Sequence, residues 1–561
     1  MNPKIIFSEA AIDKKQTTPV SVPVLTLVKK YQESLRPPTV SEESKIHVDE
    51  IASKVAKFYE KIRKIVDWKE ENLLRRNAIE RILKRSLFGE FSKLNFIFKN
   101  NINSIAESLV LELIRGGHLP NDEISQGKID EVQNVLNKYV YLIKNAFSNT
   151  TASVFKFKEK VNFYEWILAI ASCEIEEVLS AQIKENALIE SMTELMTERI
   201  KIIPPELITE EEKILQVYIA VHRTLFDLDD PIIAYRILKY KYHYWLNPSQ
   251  KQIEEINANI FFIWDYSQKE LHHPLAKDFF NLCERTDAIF TLIGDILDSY
   301  QKEPEKLPAV ISDKQNLKVL VTKAYNNRIA SLKKRLFKLA VFSSLSVFVA
   351  NWFTFFVVEV PIAHLFYQGF NLLAASVDFL LPTTVMFLLV SLIKPPPASN
   401  LNKVIELTNQ FVYTDQGKEL FEIKLKKKKK PLTVFIISLI YLSVCLGTFY
   451  LIAKVFFLAK IPLSSVILDT IGIALNVFAA LIVRNKAREL TVEDKSTFWE
   501  FLLDIISLPI AEIGSWIASK WKEYNIVSVF FNVIIETPFV SFLDFIENWR
   551  QFLKERKADI H

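Results

Sequence analysis

Glycine is the scarcest structural tool in this chain, with ten residues in 561, of which Gly369, Gly447 and Gly472 fall in or between its long apolar stretches. Closely packed transporter helices depend on small residues to bring their backbones together, so the shortage argues against a transporter. Cysteine is scarcer still. Cys173, Cys283 and Cys445 are too far apart for a metal knuckle and too few for a disulfide framework, which fits a reducing cytosol and three buried thiols. Excess charge of either sign is missing, with 70 basic against 66 acidic residues, so the chain is not a bulk nucleic-acid binder. No phosphate-binding glycine loop, dinucleotide fingerprint, nucleophile elbow, zinc-protease helix motif or paired Cys-x-x-Cys occurs. No catalytic residue, cofactor or metal ligand is therefore expected, and an enzyme would need an unfamiliar site. Residues 1–20 lack the apolar core and cleavage site of a signal peptide, which leaves the first apolar span as the expected insertion signal.

What the chain has in quantity is long apolar runs. Residues 339–360, 372–393, 432–453 and 463–483 are each 21 or 22 residues long, enough to cross roughly 30 Å of hydrocarbon as a helix. Between the second and third lies KLKKKKKP, residues 424–431. Basic residues crowd Lys333–Lys338, Lys394, Lys424–Lys430 and Arg484–Arg488, while the loop 361–371 has none and the loop 454–462 has two. The positive-inside rule then predicts a multi-pass protein of the cytoplasmic membrane with both termini cytoplasmic.

The fold class expected is all-α. A flexible lead, 1–45, precedes a helical cytosolic domain, 46–160, and a second block of helix hairpins, 161–302, that form a bundle or a solenoid-like stack. A linker and basic juxtamembrane helix, 303–338, lead into transmembrane hairpin 1, 339–393. A basic cytosolic loop, 394–431, connects it to hairpin 2, 432–483. Amphipathic interfacial helices and a charged tail, 484–561, close the chain, because Pro509 and Pro538 with interspersed charges break the last apolar stretches into pieces too short to span. Local signals are clear in places. Gly116 and Gly117 stop a helix, Thr209 and Glu212 have capping-box spacing, and Asp230 is expected to cap a helix with Pro231 in its first turn.

The sharpest functional candidates are Asp378 and Asp469. Each lies 15 or 16 residues before a basic residue at the end of the second span of its hairpin, which marks the hairpins as related, and intramembrane carboxylates usually face a partner, cavity or ion path. Lys454 and Lys460 are their expected outer-side partners. Asn351 and Asn476 are expected to hydrogen-bond between helices. Lys424, Lys426, Lys427, Lys428, Lys429 and Lys430 serve as a topological pin and as a site for anionic lipid headgroups, worth about 1 kcal/mol per lysine near a surface. No nucleic-acid role is expected of them, since no aromatic residues are interleaved. Glu270 and His273 share the Glu-x-x-His spacing of di-iron bundles, but a single copy followed by Pro274 reads as a capped helix end. Glu174, Glu176 and Glu177 read as a solvated helix face.

Residues 75–125 (RRNAIERILKRSLFGEF, then LVLELIRGGHLPNDEI), 216–248 (QVYIAVHRTLFDLDDPIIAYRILKYKYHYWLNP) and 519–553 resemble stretches of uncharacterised predicted membrane proteins of ultrasmall candidate-phylum bacteria. The resemblance implies a bacterial inner membrane and no assigned activity. The expected function is a non-enzymatic membrane-anchored scaffold that meets an unknown protein partner through its cytosolic helices. The alternative is a channel or transporter formed by the duplicated hairpins.

Overall fold

In a computed structural model the described residues are 19–35, 45–48, 74–88, 105–147, 157–180, 182–361, 386–390, 395–424, 431–458, 463–492 and 498–524, with scattered positions besides. Their helices begin with α1 (Val22–Ser34), α2 (Leu74–Phe88), α3 (Ile105–Arg115), α4 (Gln126–Asn145), α5 (Phe157–Leu179) and α6 (Ile183–Arg199). Next come β1 (Ile200–Ile203), α7 (Glu210–Phe226), α8 (Asp230–Lys241), α9 (Gln250–Ala258), α10 (Ile260–Leu271), α11 (Ala276–Glu284) and α12 (Asp287–Ser299). The rest are α13 (Leu307–Ser312), α14 (Lys314–Thr354), α15 (Ser399–Val412), β2 (Phe421–Lys424), α16 (Pro431–Leu458), α17 (Leu463–Ala487) and α18 (Phe498–Tyr524). The protein is all-helical apart from β1 and β2, which pair in parallel with Ile200 opposite Phe421.

Two compact units share this chain. One is built from Arg36–Ile189, Ile208–Cys283 and Tyr524–His561, and the other from Met1–Leu35, Glu190–Leu207 and Glu284–Glu523. In the first, a single core runs from Ile46 to Leu271, with no break at 160, a position that falls inside α5. Helix α5 is its centre, because the consecutive residues Trp166, Ile167, Leu168, Ala169 and Ile170 bury around its circumference. A helix apolar on all sides must be surrounded, and α2, α4 and α8 flank it. Local chemistry sets the edges. Gly117 takes the left-handed conformation after α3, with φ 77°, and Thr209 and Glu212 form the reciprocal capping box of α7. The α8 cap is Asp229 rather than Asp230, accepting from the Ile232 N–H at 3.4 Å and leaving Asp230 in the first turn. Within the expected block of helix hairpins, residues 250–299 form four short helices, α9 to α12.

In the second unit, the basic juxtamembrane helix and the first apolar span are one 41-residue helix, α14. Among the described residues three helices are long and apolar enough to cross a membrane, over Lys314–Val357, Pro431–Leu458 and Thr470–Ala487. Most of the second apolar run, 372–393, lies outside the described residues, but Met386 and Val390 pack with Ala480 and Val483 of α17 and against Leu339 of α14. Along α16 the side chains of Leu432, Phe435, Ile440, Leu446, Leu451 and Phe457 are exposed, an apolar surface larger than water-soluble proteins tolerate.

Helix α18 departs most from the sequence reading. It is a single helix of 27 residues that continues through Pro509, where two short helices were expected; the expected second unit, around 526–535, lies outside the described residues. Ile510 and Ala511 of α18 bury with Ile473, Ala474 and Val477 of α17. Arg484 near the end of α17 pairs with Asp504 near the start of α18. A Cβ on Gly514 would lie 2.1 Å from the Ala474 carbonyl oxygen. The partners run in opposite sequence directions, 484 with 504 and 474 with 514, so the two helices lie antiparallel.

This contact predicts the effect of a single methyl group. Gly514→Ala should lower the unfolding temperature of the purified protein, by overpacking worth about 1–3 kcal/mol, whereas Gly472→Ala, with open space around its Cβ position, should leave it unchanged. Equal melting of the two variants would show that α17 and α18 do not touch.

Candidate functional site

The residues singled out by sequence do not converge. Asp378 and Lys426–Lys430 lie outside the described residues. Asp469 is in the first third of α17, with its side chain outside them. Lys424 ends β2 and pairs with Glu422 at 2.8 Å. Of the expected partners, Lys454 is on α16 and Lys460 lies outside the described residues. Asn351 makes an interhelical contact of the expected kind, donating to Thr383 at 3.3 Å. Glu270 accepts from the Gln216 amide at 2.9 Å, and His273 accepts from the Leu275 N–H at 3.2 Å, so the two side chains have separate partners. Among the described residues no group of three or more His, Cys, Asp or Glu can hold a metal. Cys173 and Cys283 are buried, while Cys445 is only half-buried.

The structure instead gathers polar groups at the foot of the apolar helices. Arg328 of α14 forms a two-pronged pair with Asp295 of α12 and reaches Glu489, just past α17, at 3.0 Å; Arg335 pairs with the same Glu489. Burial opposes the Arg328 charge, but Asp295 and Glu489 outweigh it and hold the guanidinium above its ordinary range. Beside them Asn400 of α15, 1 % exposed, donates to the Tyr325 hydroxyl at 3.1 Å and the Leu490 carbonyl at 2.6 Å. Its oxygen accepts from the Val492 N–H at 2.9 Å. One amide with both donors and its oxygen engaged therefore fixes the turn after α17 to α14 and α15.

A second clamp surrounds Arg199, buried at the end of α6. It donates to the Leu195 carbonyl at 2.9 Å and the Gln410 carbonyl at 2.8 Å, and its guanidinium lies 4.1 Å from the Phe411 ring centre. Both carbonyls belong to the last turns of helices, where the backbone dipoles leave negative charge. Burial lowers the Arg199 pKa from its ordinary value, and these helix ends supply compensation. Ser21 donates through its hydroxyl to the Phe411 carbonyl at 3.1 Å and through its N–H to Val412 at 2.8 Å. The Tyr413 hydroxyl donates to Ile311 at 2.8 Å. The connector 395–424, expected as part of a basic loop, is thus α15 followed by β2, tied to α1, α6 and α13.

Two polar pairs on α18 escaped the sequence reading. Besides Arg484–Asp504, the Tyr441 hydroxyl of α16 donates to the Glu512 carboxylate of α18, on an exposed flank. The available signal was the spacing of Asp504 and Glu512, eight residues apart and so on neighbouring stripes of one helix; reading Pro509 as a break concealed it.

In the other unit, the three acidic residues expected on a solvated face are drawn in. Glu174 is 1 % and Glu176 6 % exposed. They stand in the last turns of α5, where the helix dipole disfavours carboxylates, and each meets a cation from a different neighbour. Glu174 binds Lys138 of α4 and accepts from the Tyr139 hydroxyl at 2.7 Å. Glu176 binds Arg75 of α2 at 3.3 Å, and Glu177 binds Lys239 of α8 at 2.6 Å. Burial pushes the Glu174 and Glu176 carboxyls up and the Lys138 amine down, against the pull of their partners. Burial also opposes the Glu177 charge, but Arg236, Lys239 and Tyr235 outweigh it and hold that carboxyl low. Compared with protein-family models, curated proteins and solved structures, the chain matches none.

Lys138→Met should destabilise this unit by about 3–5 kcal/mol, the cost of stranding a buried charge, and adding Glu174→Gln should recover much of it; denaturant titration measures both. His222 of α7 gives a pH test. Its ring nitrogens have no hydrogen-bond partner among the described residues, and burial, then Arg236, lowers it from 6.5 to about 3. The unfolded chain takes up this proton below pH 6.5 while the folded one does not, so stability complete above that pH is lost as pH falls toward 3. The slope is at most about 1.4 kcal/mol per pH unit. The raised Glu174 and Glu176 act with the opposite sign but are common to wild type and His222→Leu. The stability of wild type relative to His222→Leu should therefore fall steadily on acidification, and a constant difference would exclude the neutral buried imidazole.

Proposed function

We propose that the chain is a multi-pass inner-membrane protein whose cytosolic helices are a non-enzymatic scaffold, an interaction platform fixed rigidly to the membrane. The observation that carries the reading is the clamp at Arg328, Glu489 and Asn400, which binds the foot of α14 and the turn after α17 to α12 and α15. Such a joint holds folded soluble helices at a set angle to the apolar ones, which a flexible tether would not. The exposed apolar surface of α16 supports a lipid environment. In sequence the lysine run ends directly before Pro431, the first residue of α16, which supports contact of Lys424 and Lys426–Lys430 with an anionic inner leaflet. Both termini are then cytoplasmic by the distribution of basic residues.

Crosslinking in native membranes should capture a reproducible protein partner on the cytosolic helices. Paired replacements Arg328→Ala and Glu489→Ala should reduce that capture several-fold without removing the protein from the membrane. Absence of any stable partner, together with substrate flux in liposomes that Asp378→Asn and Asp469→Asn abolish, would overturn the scaffold in favour of a channel or transporter.

A further inference from the structure

Helix α18 lies antiparallel on α17 from the Arg484–Asp504 pair to the Ala474–Gly514 contact. If α17 crosses the membrane, as the proposed function requires, α18 turns back into it beside α17 at least as far as the Gly514 contact. Two independent measures then set the depth of Glu512. It lies eight residues beyond Asp504 and so about 12 Å along α18, and its partner Tyr441 lies ten residues beyond Pro431 and so about 15 Å along α16. Both distances put the carboxyl near the middle of a hydrocarbon layer about 30 Å thick.

Glu512 is exposed there on the flank of the helices, and no ion pair holds it among the described residues. Its one described partner is the Tyr441 hydroxyl. The neighbouring charges are committed or distant. Arg484 is matched by Asp504, Lys520 is two turns further along α18, and α17 presents the uncharged Asn476 at the same level. The other titratable group beside Tyr441 is Cys445, one turn along α16. An ionised carboxylate facing hydrocarbon without a cation is costly, whereas the neutral acid, with a hydroxyl to bond, is not. We propose that Glu512 is an intramembrane proton-binding carboxyl, with Tyr441 as the group that orients it.

The test uses the full-length protein in its membrane and dicyclohexylcarbodiimide, an apolar reagent that adds to protonated carboxylic acids within the bilayer. Mass spectrometry should find the adduct on Glu512, with labelling falling at least several-fold as the medium is made alkaline. Sodium should not alter it, Glu512→Gln should abolish it, and Tyr441→Phe should shift the pH of half-labelling while helix content stays unchanged. Labelling of Glu512 by a water-soluble carbodiimide instead would show the group in water and overturn the membrane placement of α18. Labelling by neither reagent would leave that placement standing and overturn the proton site. Suppression by sodium at constant pH would replace the proton by a metal cation.

Discussion

A charge taken out of water must be matched where it lands, and this constraint organises both units of the protein. Removing one ion from water costs several kcal/mol even after relaxation, too much for a fold whose net stability is about 5–15 kcal/mol. Helix α5 shows the consequence. It is the most enclosed helix of its unit and yet ends in three glutamates, at the terminus where the backbone already carries negative charge. Each is satisfied only when a particular neighbour supplies a particular cation: Lys138, Arg75 or Lys239. An apolar helix can slide or rotate against others at modest cost. One carrying two buried carboxylates and a third half-buried one cannot, so the ion pairs select the neighbours and their register while apolar burial provides the driving force.

The same constraint is met differently in the other unit. Arg199 has backbone carbonyls and an aromatic ring rather than a facing carboxylate, and the helix ends that neutralise it come from α6 and α15, more than two hundred residues apart in sequence. That makes the connector between the two apolar hairpins structural. It supplies a helix end for a buried guanidinium, an edge for β1 and hydrogen-bond acceptors for Ser21, and Asn400 at its start holds the turn after α17. The apolar helices on either side of the connector are therefore positioned by folded protein, and the lysine run is the remaining short link between β2 and α16.

Sequence alone made the local features legible because their causes are local. Helical class, the capping box at Thr209, the left-handed stop at Gly117 and the apolar helices follow from periodicity, capping chemistry and run length. The cap of α8 was placed one residue late because Asp229 and Asp230 are equivalent cap formers, and only the chain path distinguishes them. The buried acids of α5 were misread for a different reason. Glu174, Glu176 and Glu177 look solvated in sequence because their partners lie 36, 101 and 62 residues away. The same holds for Tyr441 and Glu512, which are 71 residues apart. Nothing within either segment announces the other.

Pro509 shows how such a long-range contact can reverse a local rule. A proline inside a helix removes one hydrogen bond and crowds the preceding turn, at about 3 kcal/mol in isolation, which is why two short helices were expected. Here the buried Pro509 is followed directly by Ile510 and Ala511, which pack on α17, and Gly514 brings the backbones together one turn later. Close packing over several turns offsets the lost bond, so α18 continues. Continuity in turn gives its polar residues fixed positions. With Asp504 clamped by Arg484 at one end, Glu512 is carried two turns along a rigid rod to the side of Tyr441. A break at Pro509 would have uncoupled it from that position. Holding that carboxyl beside Tyr441 is the work of the α17–α18 seam.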